Sequence, residues 1–263
     1  MESLFTEKSI RLIFFFGMFL LLGGCELLFQ RKKRVDSKPK RWLNNLGLVA
    51  IGNLILQLGF IMLPVSFAAF AQSKGLGIFN HLPLPAWANW IAAIIILDFI
   101  IYFQHVVFHF VPILWRLHRV HHSDLDIDVT TAIRFHPIEI IISLFVKLTA
   151  VAAFGFSPGA VLAFEIILNA TAMFNHTNIF LPVPIDRFIR LLIVTPDMHR
   201  VHHSQIMKES NSNFGFNLPW WDRICGTYQA QPAAGHDGMV IGLQQYQNPK
   251  SLMQLLVMPF TKK

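Results

Sequence analysis

Five long apolar stretches, separated by polar segments, dominate the hydrophobic pattern of the chain. They cover residues 9–30, 43–71, about 87–110, 137–156 and 157–180. A helix needs roughly 20 mostly apolar residues to cross the hydrocarbon core of a bilayer, so each stretch is long enough to span or enter a membrane. Proline and glycine together interrupt a helix, and Ser157-Pro158-Gly159 therefore separates the last two stretches. The pattern predicts an N-terminal span followed by two helical hairpins.

Basic residues are concentrated directly after the first apolar stretch, and they predict the orientation of the chain. The cluster comprises Arg31, Lys32, Lys33, Arg34, Lys38, Lys40 and Arg41. Such a cluster beside a membrane segment marks the cytoplasmic side. The loop between the second and third stretches contains Lys74 as its only Lys or Arg, which is typical of an outer loop. On this topology every histidine-rich segment of the chain lies on the cytoplasmic side.

One alternative concerns the first stretch. Leu22-Gly23-Gly24-Cys25 loosely resembles a lipoprotein cleavage site that follows a short apolar core. Cleavage there would leave the basic cluster on the outer side, against the positive-inside rule. We therefore favour an N-terminal span that is not cleaved. The sequence predicts two regions: residues 1–42, with this span and its basic segment, and residues 43–263, with the rest of the chain.

The composition of the chain agrees with a membrane protein. Hydrophobic residues make up 54% of its 263 residues and charged residues 14%, whereas soluble domains contain about 25% charged residues. The net charge of +7 does not indicate nucleic acid as a partner, because the excess lies in the juxtamembrane cluster and at the chain end. Cys25 and Cys225 are the only cysteines, so no thiolate metal site is expected. We predict an all-α membrane protein with a cytoplasmic, histidine-rich helical cap.

The hexapeptide HRVHHS occurs twice, at His118–Ser123 and at His199–Ser204. Histidines at i, i+3 and i+4 share one face of a helix. Adjacent histidines point about 100° apart on a helix, so two facing boxes suit two ions better than one. A third pair lies upstream, and the three boxes together contain His105, His109, His118, His121, His122, His199, His202 and His203. A ligand set made only of imidazoles favours iron, zinc, copper or nickel.

Two polar residues share a helical stripe with the upstream pair. Asp98 and Tyr102 precede His105 and His109 at helical spacing near the end of an apolar stretch. A carboxylate beside a ligating imidazole fixes the ring and raises its basicity, which would make Asp98 and Tyr102 supporting residues. Taken by themselves, these two residues have an alternative interpretation as an Asp–Tyr pair that forms its hydrogen bonds within a helix bundle.

The other histidines give weaker signals. His176 stands at the polar end of an apolar stretch, where it is either a ninth ligand or a helix-end histidine bonded to backbone. His136 precedes Pro137 at a predicted helix start, and we expect a supporting or structural group there rather than a ligand. We expect His81 and His236 to lie on the surface, because both stand in turn-like segments away from the boxes.

These motifs, in this order, resemble the fatty acid hydroxylase/sterol desaturase superfamily of membrane-bound non-haem di-iron oxygenases. The run is HVVFH, then HRVHHS after eight residues, FNHTN, TPDMHRVHHS and NFGFNLPWWDRICGTY. It extends from about Asp98 to Tyr228, half of the chain. Acyl-CoA desaturases also use HxxxH and HxxHH boxes but separate the first two by more residues. The spacing here therefore favours the hydroxylase/sterol branch.

The resemblance implies that the eight histidines of the boxes and His176 bind two iron ions, which zinc can replace in purified protein. Some members have a further histidine where this chain has Asn178, so nine imidazoles rather than ten are expected. The resemblance also implies supporting roles for Asp98, Arg134, Glu139, Asn213 and Asp222, and we add Tyr102 and Asn178 to that group. Aromatic residues that could line a lipid path are Phe174, Phe214, Phe216, Trp220 and Trp221.

The activity implied is O₂-dependent hydroxylation of a lipid C–H bond, with desaturation at the same centre as the alternative. The chain contains no haem, flavin or nicotinamide motif, so a separate electron-transfer protein is expected, and the compartment expected is a bacterial inner membrane. A metal transporter would instead place histidines and aspartates deep in several spans. A zinc hydrolase would need an HExxH motif, which the sequence lacks. Interfacial anchoring is an equally good interpretation of Trp220 and Trp221.

Overall fold

The structure is a computed structural model that describes residues 6–261. The first seven α-helices of the chain form an apolar bundle and its connection to a cap of short helices. They are α1 (Glu7–Leu28), α2 (Lys38–Gly59), α3 (Pro64–Ser73), α4 (Ala86–Phe110), α5 (Pro112–His122), α6 (Pro137–Phe154) and α7 (Pro158–Asn175). Proline stands at the first position of α3, α5, α6 and α7, where its missing N–H costs no helical hydrogen bond.

Five helical stretches are long and apolar enough to cross a membrane, as the sequence predicts. They are Glu7–Leu28, Lys38–Ser73, Ala86–Phe110, Pro137–Phe154 and Pro158–Asn175. The chain is therefore an integral membrane protein built from helices, and within residues 6–261 only two isolated β-bridges occur. The division into residues 1–42 and 43–263 remains a prediction, and residues 1–5 and 262–263 lie outside the described part.

The second stretch is not the single continuous span over residues 43–71 that the sequence predicted. The α2 helix begins earlier, at Lys38, and ends at Gly59, and the chain is extended at Phe60 before α3 begins at Pro64. A proline cannot donate the hydrogen bond that would continue α2. The separate α3 helix packs against α6 and α7, so the break turns the chain onto the hairpin behind it.

The loop between α3 and α4 meets the turn between α6 and α7 at one end of the molecule. Gly77 and Gly155 both have positive φ angles, and a Cβ on Gly77 would lie 2.2 Å from the backbone nitrogen of Gly155. Only glycine combines this conformation with so close an approach. The contact places both hairpin turns at the end of the bundle away from the histidine boxes, as the predicted topology requires.

An ionic cluster around the buried carboxylate of Glu165 joins three of the membrane helices. The carboxylate of Glu165 in α7 accepts from Arg11 of α1 at 2.6 Å and from Lys147 of α6 at 2.5 Å. A charge in a membrane segment is costly unless it is paired. These pairs fix α1 against the second hairpin, with which it also shares the apolar core around Phe164 and Met173.

Short helices form a cap at the opposite end of the bundle. They are α8 (Val183–Ile189), α9 (Pro196–His202), α10 (Met207–Ser210), α11 (Trp220–Ile224), α12 (Gly235–Gly238) and α13 (Leu252–Val257). The basic segment after α1 contacts this cap, since Arg31 bonds Asp197 and Asp237 there. The basic cluster and the histidine boxes therefore lie at the same end of the molecule.

Candidate metal centre

Four elements bring the nine predicted histidines together where the bundle meets the cap. The last turns of α4 provide His105 and His109, and α5 provides the first HRVHHS box. The second box lies on α9 and its C-cap, and His176 is the C-cap residue of α7. All nine side chains are buried, with His109 the most exposed at 9%.

The nine imidazoles divide into two groups, and within each group the nitrogens lie within 4.8 Å of one another. The first group takes five residues from α4, α5 and α9, and the second takes four from α5, α7 and α9. The five are His105, His109, His118, His122 and His202; the four are His121, His176, His199 and His203. The neighbours His121 and His122 enter different groups, as do His202 and His203, which agrees with the division of adjacent histidines between two ions.

Neighbouring Nε2 atoms point at one another within each group. They are 3.1 Å apart between His105 and His118 and between His109 and His122. In the second group, Nε2 of His176 is 3.1 Å from that of His121 and 3.1 Å from that of His199. A bond from zinc to imidazole is about 2.0–2.1 Å long, so nitrogens at this spacing can reach a common ion of similar size.

Five of the rings are held through Nδ1, which donates to an oxygen and leaves Nε2 directed into the group. The acceptors are the carbonyls of Phe214 (for His105), Ser212 (for His202) and Ala172 (for His176), the amide oxygen of Asn211 (for His109) and the carboxylate of Glu139 (for His118). This arrangement is usual for metal-bound histidines, because the bond sets the tautomer and the ring orientation.

The two groups differ in how many of their rings have a hydrogen-bond partner at Nδ1. Four of the five rings in the first group have an Nδ1 partner, whereas in the second group only His176 does. Nδ1 of His121, His122, His199 and His203 is buried with no hydrogen-bond partner among residues 6–261. Nε2 of His202 is also buried and unpartnered within that range, as expected for a nitrogen whose lone pair serves an ion.

Burial keeps the imidazoles neutral. It lowers the pKa of His118 and of His176 to about 3. The pKa of His121 and of His202 also lies well below its usual value. Burial is the largest cause, and the neighbouring histidines lower the pKa further. A neutral imidazole offers the lone pair that a metal needs. The donor set, its neutrality and the converging Nε2 atoms fit two transition-metal ions, one in each group.

Two carboxylates hold ligand-bearing segments in place. Oε1 of Glu139, in the first turn of α6, lies 2.6 Å from Nδ1 of His118. Asp222 accepts from the backbone N–H groups of Phe214 and Gly215 and from the Thr227 hydroxyl. Because the Phe214 carbonyl accepts from His105, Asp222 orients that ring through the loop.

Asp98 and Tyr102 support the histidines indirectly, although the helical stripe that they share with His105 and His109 predicted direct contact. The Asp98 carboxylate accepts from the backbone of Asn217 and Leu218 and from Trp221 Nε1 at 2.8 Å. The Tyr102 hydroxyl bonds the hydroxyl of Thr227. Both residues therefore fix the loop that follows the second box, and neither hydrogen-bonds a histidine among the described residues.

The remaining supporting candidates stabilise the ends of the ligand helices. Arg134 donates to the Val120 carbonyl, Ser123 and Asn45, which holds the end of α5. Asn213, with a φ of 52°, donates to the carbonyls of Met198 and Gln229. The Asn178 side chain accepts from the backbone N–H of Lys32 and donates to the Lys32 carbonyl, so it attaches the basic segment to the cap.

A buried charge network beside the first box was not predicted. Arg41 of α2 donates to Asp124 at 2.7 Å and to Asp128 at 2.8 Å. Burial alone would raise the pKa of Asp124, but Arg41 and Arg134 hold it down at about 2. The alternating acidic residues of SDLDID, directly after the box, were a visible signal for this network.

Aromatic rings enclose the histidines. Phe214 is fully buried, with its ring centroid 5.0 Å from that of His109, and Phe216 is 5.0 Å from His105. Two further rings, which were not predicted, contact the histidines: Phe135 stacks on His121 at 4.6 Å, and Trp115 lies 4.9 Å from His109. No local pattern distinguished these two rings from other apolar residues.

The other aromatic candidates lie further out. Phe174 packs against the bundle core and Trp221 against Phe99. Trp220, 39% exposed, donates to the Leu191 carbonyl. Whether any of the five aromatic candidates lines a lipid path stays a prediction.

The expectation for His236 was wrong, and those for the other two outlying histidines agree with the structure. His236 is buried, 3.7 Å from the carboxylate of Asp197, because the chain folds back over α9 and pairs Ile241 with Ser204. His81 is exposed. His136 is the N-cap of α6 and accepts from the Ile138 N–H through Nδ1.

Comparison with known proteins identifies the family. The sequence model described as fatty acid hydroxylase matches residues 90–227. An ornithine lipid hydroxylase, OlsE, of Rhizobium tropici is 28% identical over 204 residues, covering 76% of this chain and 59% of the relative. Alkylglycerol monooxygenase of Homo sapiens is 32% identical over 154 residues, covering 57% of this chain and 33% of the relative.

Other comparisons extend this result. Methylsterol monooxygenase 2-2 of Arabidopsis thaliana is 25% identical over 225 residues, covering 80% of this chain and 84% of the relative. The chain thus spans about three fifths of the ornithine lipid hydroxylase and one third of the human alkylglycerol monooxygenase. No solved structure matches the chain at a significant level. The family match covers more than half of the chain and contains all nine clustered histidines, so the chain belongs to the fatty acid hydroxylase family.

Proposed function

We propose that the protein is a membrane-bound lipid hydroxylase with two iron ions in its paired histidine groups. The observation that supports this proposal most directly is the convergence of nine buried, neutral imidazoles in a five-membered and a four-membered group. The relatives are named as a lipid hydroxylase and as monooxygenases, which supports the same reaction class. The substrates are then a membrane lipid and O₂, with reducing electrons from a separate protein.

When bound, the iron pair supplies the redox chemistry that inserts oxygen into an unactivated C–H bond. The chain supplies geometry and exclusion of water. Rings from α4, α5, α7 and α9 present Nε2 atoms at fixed positions, and Glu139 sets the orientation of His118. The packed rings of Phe214, Phe216 and Phe135 close the space around the imidazoles against solvent.

We further propose that the centre lies on the cytoplasmic side of a bacterial inner membrane. The basic segment after α1 and the cap lie at the same end of the bundle, and basic residues beside spans favour the cytoplasmic side. The cap arrangement disfavours a metal transporter. Transport residues normally lie along a path through several spans, whereas these histidines share one end of the bundle.

Metal content and lipid products test the proposal together. Protein purified without added zinc should contain two irons, one for each histidine group. Lipid mass spectrometry of cells with and without the gene should show an added oxygen atom, and loss of two hydrogens would indicate desaturation instead. His121→Ala should abolish the product, and His81→Ala, which changes an exposed histidine, should not. Unchanged product with His121→Ala would exclude the centre from the reaction.

A further inference from the structure

A groove of about 490 Å³ lies between α4 and α6 on the side of the bundle. That volume is within the range of roughly 300–1,000 Å³ usual for small-molecule sites. Ile100 of α4 forms one wall, and α6 contributes residues from Ile142 to Phe154. The groove is open sideways, because Phe145 on its rim is 54% exposed. Both helices are membrane-spanning candidates, so this opening faces lipid.

The length of the groove suits one lipid chain. From Ile142 to Phe154, α6 rises about 18 Å. The hydrocarbon core of a bilayer is about 30 Å thick, so the groove slightly exceeds the depth of one leaflet. Thr149 is the only residue of its lining with a polar side chain, and an alkyl chain is the matching ligand.

The inner end of the groove leads to the histidine groups along both helices. On α6, Glu139 lies one turn before Ile142 on the same face, and its carboxylate contacts His118. On α4, Ile100, Gln104 and Phe108 follow at intervals of four residues and share a face. Phe108 is buried with its ring 5.9 Å from that of His118. The outer end, at Ala153 and Phe154, is remote from every histidine of the centre.

Gln104 provides a polar feature between the groove and the centre. Its Oε1 is buried and has no hydrogen-bond partner among the residues that the structure describes. An unpaired buried acceptor costs free energy, and a hydroxyl or amide N–H on a ligand would satisfy it. Gln104 is one turn beyond Ile100 on the same face of α4, so a lipid whose chain extends along the groove toward Phe154 would have its polar end next to this side chain.

We propose that the groove between α4 and α6 binds the alkyl chain of the lipid substrate, with the methyl end at Ala153 and the polar end near Gln104. This inference rests on the proposed function, since it takes the occupant to be the substrate. It also predicts the site of oxidation. The carbon that reaches the centre lies close to the polar end, and the methyl end is out of reach.

Photolabelling tests the groove without requiring turnover. Two forms of hexadecan-1-ol, one with a diazirine at the methyl end and one with it near the hydroxyl, are bound to the purified full-length protein in nanodiscs. We expect the methyl-end probe to label the segment around Ala150–Phe154 and the other probe to label the segment around Ile100–Gln104. Reversed positions, or labelling spread evenly over all spans, would overturn the proposal.

A matched pair of variants makes the test specific. Ala153→Phe fills the outer end of the groove, and Ala50→Phe adds the same ring to an exposed alanine of α2 outside it. The new ring in Ala153→Phe occupies the space of the methyl end, so labelling by the methyl-end probe should fall about tenfold, equivalent to about 1.4 kcal/mol of binding free energy, and it should stay unchanged in Ala50→Phe. Equal labelling of the two variants would refute the groove as the binding site.

Product analysis separates this inference from the proposed function. A product with its hydroxyl at the methyl end, made by an iron-containing protein, refutes the groove orientation and leaves the hydroxylase intact. Specific labelling of the groove in a protein that holds no iron supports the groove and counts against the hydroxylase. A hydroxyl near the polar end, together with the labelling pattern above, supports both.

Discussion

The carboxylate of Glu139 and the Nδ1 of His118 lie 2.6 Å apart, at the junction between the first ligand box and the second hairpin. This contact joins α5 to α6 and directs Nε2 of His118 toward His105. A partner of this kind fixes the tautomer of a ligating histidine. The membrane hairpin therefore takes part in shaping the centre, although it contributes only one of the nine histidines.

Replacing Glu139 should weaken metal binding in a graded way. Glu139→Leu removes the acceptor of His118 and should lower the affinity of the five-histidine group by about 10–100-fold. Glu139→Gln keeps an amide oxygen for the same bond and should lose less. Titration of the purified protein against a competing chelator measures both affinities. Equal affinities for wild type and Glu139→Leu would show that the contact does not support the centre.

The two groups should respond differently to the loss of one histidine. His176→Ala leaves three imidazoles in its group and removes the only ring there whose Nδ1 has a partner, so the metal content should fall from two ions to one. His109→Ala leaves four imidazoles and should retain both ions. Elemental analysis of the purified variants measures this difference. Loss of the same number of ions in both variants would contradict the unequal groups.

The metal-free protein should lose stability as the pH falls from neutral. The folded-state pKa of His118 and of His176 is about 3, and the unfolded value is about 6.5. Between these values the unfolded chain binds more protons than the folded one, so acidification favours unfolding. The stabilisation is complete above pH 6.5 and is lost as the pH falls toward 3. Thermal unfolding of chelator-treated protein in detergent from pH 7.5 to 5 should show a declining Tm, and a constant Tm would contradict it.

Arg41 should matter more to stability than its basic neighbours. Arg41→Ala leaves Asp124 and Asp128 buried without their main partner, and breaking a buried pair in this way costs about 3–5 kcal/mol. Lys40→Ala changes an exposed residue of the same segment and should have little effect. Unfolding of the two variants in detergent makes the comparison. Similar Tm values would mean that the acidic pair finds other partners.

The orientation of the cap can be tested with the cysteines of the chain. Cys225 is exposed in the cap, and Cys25→Ser leaves it as the single thiol. A membrane-impermeant maleimide should label Cys225 in opened but not in intact spheroplasts. His81→Cys, at the opposite end of the bundle, in a chain that also has both natural cysteines replaced, should be labelled in intact spheroplasts. Labelling of Cys225 from outside would place the histidines on the outer face.

The helices and the clustering of the eight box histidines could be predicted because both depend on local spacing, whereas His176 was indicated only by the resemblance. Apolar stretches of sufficient length define spans, and histidines at i, i+3 and i+4 define ligand faces, whatever the rest of the fold does. The break before Pro64 was missed because the apolar pattern continues through it. The proline itself was the available signal.

Contacts between distant segments could not be predicted in the same way. His202 is held by the backbone carbonyl of Ser212, and a carbonyl is present at every residue whatever its side chain. His236 is buried because the chain returns over α9, which its own turn-like neighbours do not indicate. The resemblance pointed to Glu139, but its pairing with His118 rather than another histidine required the structure.

The position of His176 at the end of α7 has a consequence for biogenesis. Its Nε2 lies 3.1 Å from two other members of its group, and those members come from α5 and α9, on either side of the second hairpin in the chain. The four-membered group is thus complete only after that hairpin has inserted and α9 has been synthesised. On the proposed function, metal would enter this group only late in the maturation of the protein, and its occupancy in a cell would report that the second hairpin has inserted.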